Sequence, residues 1–256
     1  MCELLGLAFN KPVSPGLSFR GFRHRANRNP HGWGLAAITA RKARITKEPI
    51  HAARSEIART IPDRSPLAAP IFIGHVRAAS CGEVSLQNTH PFTRRVRGGD
   101  FVFAHNGTLD KGRLAARGGG PFTPQGSTDS ELAMCQLLSW LEQEDVAADN
   151  FPVVEQFLRH MNGAGTLNLI FSDGRHLYCY HDEHGYNGLC WAHRRAPFCR
   201  VSLRDEDWTA DLDEEKSPGQ QGYVIASKRL TDGEPWHEFR HGSLVVFRDG
   251  QIVHGG

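Results

Sequence analysis

At 256 residues with a net charge of +2 and a pI near 8.3, the chain is long enough to bury a sizeable core without a metal or disulfide staple. The balance of 30 Lys and Arg against 28 Asp and Glu leaves no broad basic stripe, which argues against a nucleic-acid binder. The six cysteines (Cys2, Cys81, Cys135, Cys179, Cys190 and Cys199) form no C-x-x-C pair and suggest reduced thiols in a cytoplasmic protein, not a zinc site or a disulfide scaffold.

The N-terminus MCELLGLAFNKP has no basic segment before its short apolar run, so it does not read as a signal peptide. No apolar run approaches the roughly 18 residues that a membrane span needs, so no membrane partner is expected. Residues 3–9 (ELLGLAF) read as a strand that starts almost at the first residue. The densest basic stretch, Arg20, Arg23, His24, Arg25 and Arg28, reads as a solvated loop face. Residues 33–39, 70–77 and 100–105 are short apolar runs between Gly, Pro and Asn signals, and so are strands.

Residues 127–144 (STDSELAMCQLLSWLEQE) predict the strongest helix. Ser127 and Thr128 are candidate caps, Asp129 and Glu131 sit in the first turn, and Met134, Leu138 and Leu141 share one face. A second helix covers 152–161, with Pro152 in its first turn. Residues 166–172 and 176–181 flank Asp173-Gly174, a hairpin signal, and 222–227 and 243–248 are further strands. The polar, acidic stretch 203–221 reads as a surface excursion. With no internal repeat and no low-complexity linker, strands, helices and strands again predict one layered domain over residues 1–256.

Composition names no chemistry; a few short segments do. A residue as small as Cys2 allows Met1 to be removed, which leaves a thiol beside its own α-amino group. That amine, with a reference pKa near 7.7–8.0, is partly a free base at neutral pH and can take the thiol proton. On its own, a cysteine at position 2 is unremarkable. It is followed, however, by Gly74-His75-Val76-Arg77-Ala78-Ala79-Ser80, then Asn88-Thr89-His90-Pro91-Phe92, then Phe103-Ala104-His105-Asn106-Gly107-Thr108, and then Ser127-Thr128-Asp129-Ser130-Glu131. Each segment also has an ordinary reading. Arg77 can be a surface ion pair, Asp129 a favourable first-turn charge, and Asn106-Gly107 a hairpin turn. His181-Asp182-Glu183-His184 resembles a metal cluster but reads as a loop after a strand, so no metal is assigned.

In this order, Cys2, GHVRAAS, NTHPF, HNGT and STDSE resemble the glutaminase domain of class II glutamine amidotransferases. CELLG, NPHGWG, AHNG and RRAPF narrow the likeness to the stand-alone YafJ type. The resemblance continues through Ile225–Thr231 and Glu234-Pro235-Trp236, and so covers nearly the whole chain. It implies the N-terminal nucleophile hydrolase fold, a four-layer αββα sandwich of the α+β class. It also implies that Cys2 is the nucleophile, with Asn106 and Gly107 as the oxyanion hole. Arg77, assisted by Ser80, would bind the substrate carboxylate and Asp129 its α-ammonium. His90 and His105 would support the site without acting as bases, and Arg28 would lie near the amine.

The implied substrate is the side-chain amide of glutamine or of a γ-glutamyl compound, cleaved through a Cys2 thioester with no metal or organic cofactor. In synthases of the family a second domain uses the ammonia. None is expected here, and Ala78 stands where some of them carry an aromatic gate. The resemblance therefore allows either outright hydrolysis or delivery to a separate acceptor or synthase subunit. A catalytically silent module that binds glutamine-like ligands is the rival reading.

Overall fold

The first strand, β1 (Glu3–Val13), sets the architecture, because alternate side chains of its pleat enter two different cores. Leu4 and Ala8 face one core; Leu5, Leu7 and Phe9 face the other. The computed structural model describes residues 1–25, 29–64, 66–79, 82–116, 118–215 and 217–256. After β1 come α1 (Gly16–His24), β2 (Trp33–Thr39), β3 (Lys42–Glu48), α2 (Glu56–Arg64) and β4 (Ala69–Val76). The middle of the chain supplies β5 (Phe92–Val96), β6 (Gly99–Leu109), α3 (Lys111–Ala115), α4 (Asp129–Gln143) and α5 (Phe151–Asn162). Then follow β7 (Gly165–Ser172), β8 (Leu177–Tyr180), β9 (Cys190–Arg194), β10 (Arg200–Leu203), β11 (Thr209–Asp211) and α6 (Leu212–Glu215). The last strands are β12 (Gly222–Ala226), β13 (Thr231–Asp232), β14 (His237–Glu238), β15 (Leu244–Arg248) and β16 (Gln251–His254).

Two antiparallel sheets carry the fold. One has seven strands in the order β14-β9-β12-β1-β4-β2-β3; the other has six in the order β16-β15-β8-β7-β6-β5. Ile73, Val102, Ala104, Ile170, Leu177, Ile225 and Phe247 fill the gap between them. On the outer side of the larger sheet, Phe19 and Phe22 of α1 and Ala58 and Ile61 of α2 pack on Leu5, Leu7, Trp33 and Phe72. On the outer side of the smaller sheet, Met134, Leu137 and Leu138 of α4 and Leu158 and Met161 of α5 pack on Phe101, Phe103, Leu169 and Phe171. These are the expected αββα layers, of the N-terminal nucleophile hydrolase type.

Strand β1 is interior to its sheet, with β12 on one side (Leu5 opposite Ala226) and β4 on the other (Leu5 opposite Gly74). Because Glu3 pairs with Val76, the residue before β1 lies beside the residues that leave β4. Strand β6 is likewise flanked on both sides, by β5 and β7. Both strands that position the site are therefore hydrogen-bonded along both edges.

Three sequence readings change. Asn106-Gly107 is no hairpin turn: both residues lie inside β6, opposite Asn168 and Leu167, and the strand runs on to Leu109. The basic stretch is no loop face: Arg20 lies on α1, is buried, and pairs with Asp63 and with Glu206 at 3.2 Å. The acidic stretch 203–221 is more than an excursion: β11 joins β10 and β13 in a three-stranded sheet, and Val201, Ala210 and Leu212 bury a small core of their own.

Candidate active site

Cys2 extends the line of β1, two residues before inward-facing Leu4, and Asn106 lies two residues beyond inward-facing Ala104. The pleat thus sends both side chains into the gap between the sheets. The sulfur of Cys2 lies 3.2 Å from the backbone nitrogen of Ala78 and 3.3 Å from its carbonyl oxygen. Cys2, Arg77, Ala78, His90, His105, Gly107, Thr128 and Asp129 line one cleft, with an empty volume of about 270 Å³. The ends of β1 and β4, the 88–91 loop, β6 and the start of α4 therefore meet at one place.

Burial pushes the Cys2 thiol above its ordinary pKa. The Ala78 backbone hydrogen bond, the N-terminal ammonium and the Arg77 guanidinium pull the other way without reversing the shift. Met1 is present, and its ammonium lies 3.4 Å from Oδ1 of Asn29. In that state the nitrogen of Cys2 is a peptide amide and carries no base.

Arg77 is buried and donates from Nη1 to the Glu83 carbonyl at 3.1 Å and from Nη2 to the Gly82 carbonyl at 3.3 Å. Asp129 opens α4 directly after its cap, Thr128, whose hydroxyl accepts from the backbone nitrogen of Glu131 at 3.1 Å. One carboxylate oxygen of Asp129 accepts from the backbone nitrogen of Leu109 at 2.7 Å, which ties the helix start to the end of β6. Asn106 is 1% exposed, and neither Oδ1 nor Nδ2 has a hydrogen-bond partner among the described residues. A fully buried amide in that condition is costly, and such groups concentrate at working sites. Gly107 is required sterically, since a Cβ there would collide with the Thr166 carbonyl across the sheet.

His90 and His105 are buried together with a third ring, His75. His75 stacks on His90 with centroids 4.1 Å apart and reaches the His105 carbonyl from Nε2 at 3.1 Å. His105 Nδ1 meets the Ser130 hydroxyl at 2.9 Å. Burial lowers all three pKa values, that of His75 to about 3 and that of His90 well below the usual range, so the rings are neutral; His75 and His105 hydrogen-bond, whereas His90 packs without a ring hydrogen bond among the described residues. The 88–91 loop that carries His90 is held by Lys47, which donates to the carbonyls of Thr89 at 2.6 Å and Pro91 at 3.3 Å. Burial brings Lys47 down to about 8.

The sequence reading missed the groups that fix the N-terminus. Asn187 donates from Nδ2 to the Cys2 carbonyl at 3.0 Å, and the backbone nitrogen of Leu4 donates to the Ser227 hydroxyl at 2.9 Å. Glu3 is met by Lys228 at 3.1 Å and by Arg25 at 3.5 Å. Local signals exist for Ser227 and Lys228 in IASKRLT, for Glu3 in CELLG and for Arg25 in the basic stretch, and none for Asn187.

The loop bearing Asn187 is organised by Asp182. Its oxygens accept from the Leu167, His184 and Tyr186 backbone nitrogens and from Asn162 Nδ2, at 2.8 to 3.2 Å. Burial alone would raise the Asp182 pKa, but these bonds outweigh it and hold the carboxyl ionised. The polar run 181–184 thus contributes a structural knot through Asp182. Among the described residues, no group of three or more His, Cys, Asp or Glu side chains is placed to hold a metal, and no helix is long and apolar enough to cross a membrane. Ser80 and Arg28 lie outside the described residues.

A family model for class II glutamine amidotransferases matches residues 1–256. YafJ of Escherichia coli is 35% identical over 99% of this chain and 100% of its own length. The crystal structure of a "predicted glutamine amidotransferase" from Pseudomonas aeruginosa PA01 superposes with a TM-score of 0.73 at 30% identity, covering 99% of this chain and 100% of that one. Glutamine phosphoribosylpyrophosphate amidotransferase from B. subtilis superposes at 0.66 over 98% of this chain and 48% of its own; at 16% identity the likeness is one of fold.

Proposed function

The chain belongs to the class II glutamine amidotransferases, and on that premise we propose that it is a γ-glutamyl amide hydrolase whose nucleophile is Cys2 once Met1 has been removed. The observation that carries this reading is the convergence of Cys2, Arg77, Gly107 and Asp129 on one cleft from four separate segments. Arg77 takes the α-carboxylate of the substrate and Asp129 its α-ammonium, with Ser80 assisting the former. These contacts bring the side-chain amide to the sulfur.

The free α-amine of Cys2 takes the thiol proton, and the thiolate adds to the amide carbonyl carbon. The oxygen gains the charge and is met by the Asn106 side-chain amide and the Gly107 backbone N–H. That role accounts for a buried amide with no internal partner. The tetrahedral intermediate then collapses: the C–N bond breaks, and the Cys2 ammonium returns its proton to the departing amine or ammonia. A γ-glutamyl thioester remains. Water, deprotonated by the same amine, adds to it and releases glutamate and the thiol. The buried neutral histidines and Arg28 position the site, and nothing in these steps calls for a cofactor. We take hydrolysis in the cytoplasm as the course for residues 1–256, with delivery of the ammonia to a separate acceptor or synthase subunit as the alternative.

The test is to treat Met1-processed protein with the glutamine-mimicking electrophile 6-diazo-5-oxo-norleucine and measure the intact mass. One adduct that maps to Cys2 and is lost in Cys2→Ala is the expected result. No adduct on a chain with a confirmed free Cys2 would favour the silent binding module.

A further inference from the structure

Next to the peptide group of Cys2, across Asn187, is a second groove with a cavity volume of about 480 Å³, whose lining includes His181, Asn187, Arg204, Lys228, Arg229 and Glu238. Its size falls within the range of ligand sites, and none of the steps above uses it. Asn187 links the two spaces. Its Nδ2 is fixed on the Cys2 carbonyl at 3.0 Å, while its Oδ1 is buried without a hydrogen-bond partner among the described residues. Asn187 also holds a φ of +55°, between Gly185 and Gly188 at +72° and +68°, so the backbone is shaped to present it. His181 is 3% exposed and meets the Phe239 carbonyl from Nδ1 at 3.1 Å. Nδ1 therefore carries the proton, and Nε2, which has no hydrogen-bond partner among the described residues, is left as an acceptor.

Two acceptors without donors thus border a groove with three cations and one carboxylate. Lys228 is met by Glu3 at 3.1 Å and Arg204 by Asp232 at 3.4 Å, whereas Arg229 has no carboxylate partner among the described residues. The pattern calls for a ligand with N–H groups near Asn187 and a single negative charge further out.

We propose that this groove receives the amine half of the substrate and that this half carries a carboxylate, which makes γ-glutamyl amino acids the substrate class. The inference rests on the amidohydrolase reading and extends it. As the C–N bond breaks, the departing nitrogen takes the proton of the Cys2 ammonium. Its N–H groups face Asn187 Oδ1, and its carboxylate is held by the Arg229 guanidinium, which suits a two-oxygen acceptor.

The test compares kcat/KM of the Met1-processed protein for γ-glutamyl-alanine, for γ-glutamyl-alaninamide (identical apart from the lost charge) and for glutamine. The alanine compound should exceed its amide by about tenfold or more, the usual scale of one charge-assisted pair. Arg229→Gln should bring that ratio to about one, and Arg204→Gln, which removes a flanking cation, should lower it less. A ratio near one in the unaltered protein, or a ratio unmoved by Arg229→Gln, would overturn the inference. In either case turnover of any of the three compounds would leave the amidohydrolase reading standing. Failure to turn over all three, on a chain with a confirmed free Cys2, would overturn both.

Discussion

Asn187 donates to the carbonyl oxygen of Cys2 at 3.0 Å, so a loop 185 residues away in sequence holds the peptide group next to the nucleophile. With the Ala78 contacts on the sulfur and the Ser227 hydroxyl on the Leu4 nitrogen, this pins the start of β1 from three directions. Displacing a nucleophile by about 1 Å can cost on the order of 100-fold in rate. Asn187→Gly keeps the positive φ open to the backbone and removes the amide. It should lower kcat by about tenfold or more, with KM changed far less; steady-state kinetics on Met1-processed protein decide it. A variant with unchanged kcat would show that Asn187 has no part in positioning Cys2.

Asn106 is held at a stability cost, because its amide is buried with no hydrogen-bond partner among the described residues. Asn106→Ala should therefore separate function from folding. Loss of an oxyanion donor typically costs about 100- to 1000-fold in kcat, while the melting temperature should stay level or rise as the desolvated amide is removed. Kinetics and thermal denaturation of the same preparation test both halves. A large fall in melting temperature would mean that Asn106 supports the sheets instead.

Arg77 donates to two carbonyls of the 82–83 turn and lines the Cys2 cleft. Lysine keeps the charge but offers one flexible ammonium in place of a planar fork. Arg77→Lys should raise KM for glutamine by about tenfold or more and change kcat less. A KM equal to that of the unaltered protein would remove Arg77 from the substrate pocket.

The three buried histidines make stability depend on pH. His75 and His90 are held neutral in the fold, His75 down to about pH 3, whereas in the unfolded chain each takes a proton near pH 6.5. Between those values the unfolded state binds more protons. Stability is therefore fully present above about pH 6.5 and falls as the pH drops, by up to about 1.4 kcal/mol per pH unit for each ring. Urea unfolding midpoints measured from pH 7.5 to 4.5 should fall accordingly, and His75→Gln should flatten the slope by about one proton. An equal slope in the variant would assign the pH dependence to other groups.

How much of this could be read from the sequence followed the range of each interaction. The helix at 129–143 was legible because its cap, first-turn acids and apolar face all lie within it. The strand around Asn106-Gly107 was partly misread, because Asn-Gly is a turn signal unless a neighbour pairs with it. That neighbour, Asn168, lies on β7, beyond three helices. Likewise β9 was missed: it is held by pairing with β12, 28 to 36 residues on, which no local pattern announces. Arg77, Asp129 and Gly107 could be named from the order of their motifs. Asn187, Lys47 and Asp182 act on carbonyls and nitrogens brought to them by the fold, and no spacing encodes that.

The last prediction concerns Met1. With Met1 in place, the nitrogen of Cys2 is a peptide amide, and the only α-ammonium nearby is one residue away, 3.4 Å from Asn29. Burial raises the Cys2 pKa, so the thiol needs a base at hand to ionise near neutral pH. An amide cannot serve, and burial lowers the pKa values of His75, His90 and His105, which makes their neutral rings weak bases. A chain shown by intact mass to retain Met1 fully should therefore hydrolyse glutamine at least about 100-fold more slowly than the processed chain, the scale of losing a general base. Enzymatic removal of Met1 from that same sample should restore the rate. Equal rates before and after removal would mean that the base is not the α-amine of Cys2, and the search would move to the groups around Asn187.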